Sequence, residues 1–379
     1  MLAVGLMSGT SLDGVDAVLC EINGSGLSTQ IKELAFETYP FPVKLRALVQ
    51  RIAENQPIGI AEICSVNFEL GQLFADAVLA VCSSYGIKSS DLGFIASHGQ
   101  TVYHIPKPQG ELVASTFQLG ESAVIAYKCQ CPVISNFRTM DMAAGGEGAP
   151  LVPFSEYILY RSEDKAIALQ NIGGIGNVTI IPKSAKLDQV FAFDTGPGNM
   201  MINDAMEHLY QKSYDDKGAV AARGKLIDEL VNELKAHPYL QTFPPKSTGR
   251  EEFGSDYTGT ILEKYQAYPP EDIIATLTWF TAYSIAFSYQ NYVLPEHQLS
   301  EVILAGGGVH NLTLKDYIQQ MMPNISVVTQ EEKCYSSDSK EALAFAILGN
   351  ETLHHQTSNV PSATGAKENV ILGNIVYPN

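Results

Sequence analysis

The residues best suited to chemistry in this chain sit in turns. Residues 5 to 16 read Gly-Leu-Met-Ser-Gly-Thr-Ser-Leu-Asp-Gly-Val-Asp, with one apolar run entering (Leu2 to Met7) and another leaving (Val15 to Cys20). Between them lie Ser8, Gly9, Thr10, Ser11, Leu12, Asp13 and Gly14. A turn so rich in hydroxyls and bare amides can wrap a phosphate with successive N–H groups. Asp13 and Asp16 add the hard carboxylate oxygens that a magnesium ion, or its bound water, accepts. Asp-Gly alone would mark an ordinary hairpin; the density of small polar residues sets this one apart.

Three more glycine turns begin or end apolar runs: Gly173-Gly174-Ile175-Gly176-Asn177, Thr195-Gly196-Pro197-Gly198-Asn199 and Gly306-Gly307-Gly308-Val309-His310-Asn311. None matches the Walker loop, and the last lacks the final glycine of the dinucleotide pattern. Together, four such turns at strand ends fit a nucleotide held between two lobes. The two hairpins would grip its phosphates, and the Gly306 turn would lie against base or ribose. Asp194 ends the apolar run Val190 to Phe193 just before Thr195-Gly196. A carboxylate there is well placed as a general base, although it could equally close the strand as an Asx turn. Asp-Thr-Gly also occurs in aspartic proteases, but their dyad needs a second such carboxylate, and the sequence has no second Asp-Thr-Gly or Asp-Ser-Gly.

A polar group, Ser97-His98-Gly99-Gln100-Thr101, follows the apolar run Phe94 to Ala96, and Arg138 follows Val133 to Phe137. Both are expected where a small polar ligand meets the first lobe. Arg138 can bind a carboxylate bidentately, or serve in a surface ion pair. For His98 a core role competes with ligand contact. His354-His355 has no partner at metal-ligand spacing.

The elements that must hold these residues follow from length and periodicity. At 379 residues the chain exceeds one ordinary core, so two domains are expected. A helix is predicted over 67–82, with Phe68, Leu70, Leu73, Phe74, Ala77, Val78 and Val81 on one stripe. Hairpin, third strand, helices and later strands occur twice in the same order, which suggests a duplicated α/β unit with a ligand cleft between the copies. The expected division is 1–135 plus about 350–379 for the first lobe and 136–349 for the second.

Composition sets limits on partners. The hydrophobic share is 45% and the net charge −17. Nucleic acid and anionic membrane are excluded as partners, since phosphate backbones require clustered Lys and Arg. No apolar run reaches the 18 or so residues of a membrane span, and no signal peptide is evident. The six cysteines form no C-x-x-C pair; Cys129 and Cys131 are read as buried thiols beside a strand. A cytoplasmic protein is expected.

With these pieces in place, the sequence resembles the anhydro-N-acetylmuramic acid kinases. The motifs that carry the likeness are Gly5 to Asp16, Ser97-His-Gly-Gln-Thr101, Asn136-Phe-Arg138 with Asp141, Asn171-Ile-Gly-Gly-Ile-Gly-Asn177 and Phe193-Asp-Thr-Gly-Pro-Gly-Asn199. Pro245-Lys-Ser-Thr-Gly-Arg-Glu251, Ala305-Gly-Gly-Gly-Val309, Glu341-Ala-Leu-Ala-Phe345 and the ending Ser362 to Gly373 complete the set. One departure is Glu147, where the family's pattern has Gln.

The resemblance implies a two-lobed actin-like ATPase fold (a duplicated ribonuclease-H-like α/β unit) with ATP and Mg²⁺ in a central cleft. It also implies a coupled reaction, in which ATP, water and 1,6-anhydro-N-acetylmuramic acid give N-acetylmuramic acid 6-phosphate and ADP. Water activated by Asp194 would attack the anomeric carbon, with inversion, while the departing bridge oxygen takes the γ-phosphoryl group. Glu341 would assist Asp194, and Arg138 would meet the lactyl carboxylate, with His98, Gln100 and Thr101 also at the sugar. Residues 9–16, Gly173, Gly174, Gly176, Asn177, Gly196, Gly198 and Gly306 to Gly308 would hold the nucleotide, and Asp13 its Mg²⁺. A homodimer is the expected assembly. An ordinary sugar kinase, in which Asp194 deprotonates a substrate hydroxyl, and a non-catalytic sugar sensor are the alternatives.

Overall fold

The computed structural model describes residues 1–9, 12, 14–333 and 338–378. The chain forms two compact units, Met1–Leu159 with Asp338–Asn379, and Tyr160–Ser337. In the first, β1 (Leu2–Ser8), β2 (Gly14–Asn23) and β3 (Gln30–Pro40) form an antiparallel meander. β4 (Phe94–Ile105) then joins β1 in parallel, with β5 (Ser115–Leu119) antiparallel on its far part and β6 (Val133–Ser135) parallel beside it. The C-terminal strand Asn374–Val376 closes the edge against β6.

The second unit repeats this plan. β7 (Ala166–Ile172), β8 (Ile175–Ile181) and β9 (Phe191–Pro197) form the meander. β10 (Leu299–Ala305) is parallel to β7, and β11 (Ser326–Thr329) is parallel to β10. The strand orders β3-β2-β1-β4-β6 and β9-β8-β7-β10-β11 coincide in sequence and sense. The duplicated ribonuclease-H-like α/β topology expected from the sequence is therefore present.

The unit boundaries differ from those expected at 135 and about 350. Residues 136–159 remain with the first unit because Asp141, fully buried, accepts hydrogen bonds from Gly148 N (2.9 Å), Asn359 Nδ2 (2.9 Å) and Thr364 Oγ1 (2.8 Å). The helix Lys340–Leu353 also belongs there: Lys340 pairs with the buried Glu156 at 2.6 Å. Its approach to β1 explains Gly5, where a Cβ would lie 1.9 Å from the Ala342 carbonyl oxygen. Overpacking of this kind costs about 1–3 kcal/mol. Gly5→Ala is therefore expected to lower the thermal unfolding midpoint, as measured by circular dichroism; an unchanged midpoint would mean the helix yields freely.

The helix predicted over 67–82 spans Ile60–Tyr85. By length and mean hydropathy alone it could cross a membrane, although Glu62, Asn67, Glu69, Gln72 and Asp76 interrupt its apolar run. Its stripe of Val66, Leu70, Leu73, Phe74, Ala77, Val78 and Val81 is instead buried in the first unit's core. Phe68, assigned to that stripe, points outward and is 50% exposed. Cys129 and Cys131 are buried free thiols whose pKa burial pushes up to about 12.

Candidate active site

The expected residues gather in two clusters, one in each unit. In the second unit the glycine turns converge at one end of the sheet. The β7–β8 turn is closed by its neighbour: Gly198 N and Met200 N donate to Gly174 O (2.9 and 3.1 Å), and Asn199 N donates to Gly173 O at 2.7 Å. A Cβ on Gly198 would lie 2.2 Å from Gly173 O, and one on Gly308 would lie 2.3 Å from Ile172 Cγ2. These contacts correct one expectation. The amides of Gly198 and Gly173 are spent inside the protein, the latter on Ile175 O at 3.2 Å, so these two glycines shape the end of the sheet rather than donate to a phosphate. Gly176 pairs with Ile172 and Gly196, and Asn177 with Asn171 and Asp194.

Beside them a cavity of about 390 Å³ opens, with Asn199, Asn203, Tyr214, Asp216, Gly307 and His310 in its wall. That volume falls within the range of small-molecule sites. Tyr214 is exposed and able to stack. The neighbouring Asp215 is committed to the fold, accepting from Val220 N (2.8 Å) and Ala221 N (2.9 Å). Gly307, in the turn expected at the base or ribose, is thus part of a cavity wall.

Asp194 stands within β9 rather than at its end, because the strand continues to Pro197. Three groups far along the chain hold it: its N–H donates to Lys246 O (3.0 Å), its carbonyl accepts from Tyr239 Oη (2.8 Å), and its Oδ2 accepts from Thr248 N (2.9 Å). The Thr248 hydroxyl is buried and has no hydrogen-bond partner among the described residues. Lys246 is itself buried, its ammonium 4.5 Å from the Tyr239 ring centroid and 4.8 Å from that of Tyr292. Sequence reasoning assigned no role to Lys246, Tyr239 or Thr248. The available signal was Pro245-Lys-Ser-Thr-Gly, which reads locally as a loop.

In the first unit, Thr10, Ser11 and Asp13 lie outside the described residues. Leu12 and Val15, expected at the nucleotide, have side chains buried in the core; only their backbone can face a ligand. Gly14 sits in β2 opposite Pro40. The Asp16 carboxylate accepts from Thr38 Oγ1 at 2.7 Å. Gln100 is buried, accepting from Ser8 Oγ and donating to Gly9 O (3.3 Å) and Thr101 O (3.2 Å). It braces the β1–β2 turn instead of reaching a sugar. Thr101 Oγ1 accepts from Gln118 Nε2 at 3.1 Å. Residues 97–101, expected after the strand, lie inside β4, where Gly99 takes φ +77°.

His98 is likewise committed. Its Nδ1–H donates to Gly99 O at 2.8 Å and its Nε2 accepts from Arg138 Nε at 3.0 Å. Burial, reinforced by the Arg138 charge, lowers its pKa to about 3, so the ring is neutral and in one tautomer. Arg138 also donates through Nη1 to Gly148 O at 2.7 Å. Burial lowers the guanidinium pKa, an effect opposed by Glu341. Glu341 begins the helix Lys340–Leu353, and Phe345 one turn later packs on His98 with ring centroids 4.7 Å apart. The Glu341 side chain is open to solvent but crowded by protein, and lost hydration raises its pKa; Asp16 adds to this, while Lys340 and Arg138 oppose it. Arg138, Glu341 and the neutral His98 therefore form one polar cluster with Asp16 nearby. Glu147, the departure from the family's pattern, pairs with Lys107 at 2.8 Å in an exposed position where such pairs contribute little.

Comparison with known proteins gives a full-length match to the family described as anhydro-N-acetylmuramic acid kinase, over residues 1–378. The chain belongs to this family. The anhydro-N-acetylmuramic acid kinase of Clostridioides difficile (strain 630) is 53% identical over 99% of this chain and 98% of that protein. The one from Bacillus cereus (strain AH187) is 50% identical over the whole of both. Among solved structures, component A of the (R)-2-hydroxyglutaryl-CoA dehydratase of Acidaminococcus fermentans overlaps 92% of this chain and 96% of its own, at 11% identity and a TM-score of 0.46.

Proposed function

We propose that this chain uses ATP and water to convert 1,6-anhydro-N-acetylmuramic acid to N-acetylmuramic acid 6-phosphate and ADP. The observation that carries this reading is the clasped Asp194, set in the strand that runs into the glycine turn whose Asn199 reaches the wall of the 390 Å³ cavity, in a chain of this family. In the proposed reaction the Asp194 carboxylate accepts a proton from water as its oxygen attacks the anomeric carbon. The bond from that carbon to the bridge oxygen breaks, and the oxygen takes the γ-phosphoryl group. Charge developing on the leaving oxygen is thus consumed by phosphoryl transfer.

Glu341 assists at the sugar, where lost hydration raises its pKa and makes it a stronger proton acceptor than an ordinary carboxylate. Arg138, oriented by neutral His98, receives the lactyl carboxylate. The cavity beside Gly307 takes the adenosine, with Asp216 as acceptor for ribose hydroxyls. Among the described residues no group of three or more acidic, His or Cys side chains could cage a metal. That is compatible with Mg²⁺, which is held through one or two carboxylates and the nucleotide's own phosphates. Asp13 and Asp16 are the carboxylates suited to it, and the ion supplies charge neutralisation at the phosphates.

Turnover in ¹⁸O-water tests the reading. Label is expected in the anomeric hydroxyl of the product, read before ring opening exchanges that oxygen and against N-acetylmuramic acid held in the same water. A product without label would assign the chain to ordinary hydroxyl phosphorylation.

A further inference from the structure

We propose that Lys246 is the positioning residue of Asp194, its ammonium holding the Asp194 carboxylate in the ionised, proton-accepting state. The inference rests on the reading of Asp194 as the general base. It begins from the cost of burying an ammonium, which is tolerated only where something replaces its water. Here Tyr239 and Tyr292 present their rings at 4.5 and 4.8 Å, and Nζ donates to Tyr239 O at 3.4 Å. Cation–π contacts of this kind stabilise a desolvated cation. Both rings are fixed in turn: Tyr239 by its hydroxyl on Asp194 O and Tyr292 by its hydroxyl on Leu240 O at 2.6 Å.

The same residue grips the acid through the backbone. Lys246 O accepts the Asp194 N–H, and two residues later Thr248 N donates to Asp194 Oδ2. The loop is therefore pinned at its middle by a buried side chain as well as by its backbone. The Asp194 carboxylate acts on Lys246, opposing the burial that lowers the ammonium pKa to about 8. Interaction between two charges is mutual, so the ammonium favours the carboxylate form of Asp194. Other titratable groups near this pair are Tyr239 and Tyr292, whose pKa values burial pushes up, and beyond them His237 and Glu252, whose side chains are 3.9 Å apart. The phenols stay neutral throughout the working range, and Glu252 acts on Tyr239 and His237. Lys246 is thus a cation set to act on Asp194.

The test compares pH–rate profiles of Lys246→Met, which keeps an apolar stem without charge, and Lys246→Arg, which keeps the charge. In Lys246→Met the acid limb of the kcat profile is expected to move to higher pH, with turnover at mildly acid pH falling several-fold relative to neutral pH. Lys246→Arg should hold the limb in place. An unmoved acid limb in folded Lys246→Met overturns the proposal, since a purely structural lysine would lower kcat evenly across pH. If that variant fails to fold, wild-type protein decides. The ¹³C resonance of the Asp194 carboxyl, assigned by its loss in Asp194→Asn, should show a second, smaller step where Lys246 releases its proton, about pH 8. A single step overturns the coupling. Full turnover in Asp194→Asn would instead remove Asp194 as the base and leave this titration as it is, so the two failures are distinguishable.

Discussion

Replacing Asp194 by Asn lowers kcat by roughly 10²-fold or more, the range contributed by a positioned general base, while binding of ATP and of the anhydro sugar stays near the wild-type level. The asymmetry follows from how the residue is held. Two of the three contacts that fix Asp194 are made by its backbone, through its N–H to Lys246 O and its carbonyl to Tyr239 Oη. The amide substitution leaves both in place. The carbonyl oxygen of the new side chain can still accept from Thr248 N, so the hydrogen-bonded geometry is kept while the proton-accepting charge, and its attraction to the Lys246 ammonium, is lost. Calorimetric titration with each ligand and a coupled ADP-release assay check the two halves separately. Full turnover would show that another group activates the water.

Removal of the Arg138 guanidinium is expected to discriminate between two sugars. Hydrogen bonds to charged groups contribute about 1.5–3 kcal/mol, so Arg138→Ala should weaken the carboxylate-bearing muramic sugar about 10- to 100-fold. An analogue without the lactyl group should be little affected. The direction depends on preorganisation. His98 accepts from Nε and Gly148 O from Nη1, which fixes the plane of the guanidinium before any ligand arrives and reduces the entropy lost on binding. Because the ring of His98 remains neutral down to about pH 3, this orientation should not vary across the working pH range. Equal loss of affinity for both sugars would show that Arg138 touches some other part of the ligand.

The sequence showed the glycine turns and the order of elements plainly, because turns and periodicity are local. Gly198 and Gly308 fall where segments of the second unit pass close to one another, and composition alone marked them. What stayed hidden depended on contacts far along the chain. Residues 97–101 read as polar loop, yet Gln100 pairs with Leu119 of β5 and Ser8 of β1, and a strand covered on both sides can carry buried polar groups whose partners no local pattern reveals. His98 and Gln100 therefore looked like ligand contacts when they brace Arg138 and the first turn. Lys246 was invisible for a related reason: its aromatic enclosure comes from residues 239 and 292, and the sequence around it is typical of an exposed connector. Phe68 was placed on the wrong side of its helix because a six-residue stripe of true core positions made a seventh plausible.

The second unit is encoded without interruption, whereas the first is written in two parts, before residue 160 and after residue 337. Multidomain chains commonly fold from the N-terminus as they are synthesised, but here β1 and β4 are covered by a helix that begins only at Lys340. The ribosome must deliver the whole middle segment before the earlier sheet can bury that face. Maturation consequently runs out of reading order, since the uninterrupted module is encoded in full before the opening one receives the helix that covers it.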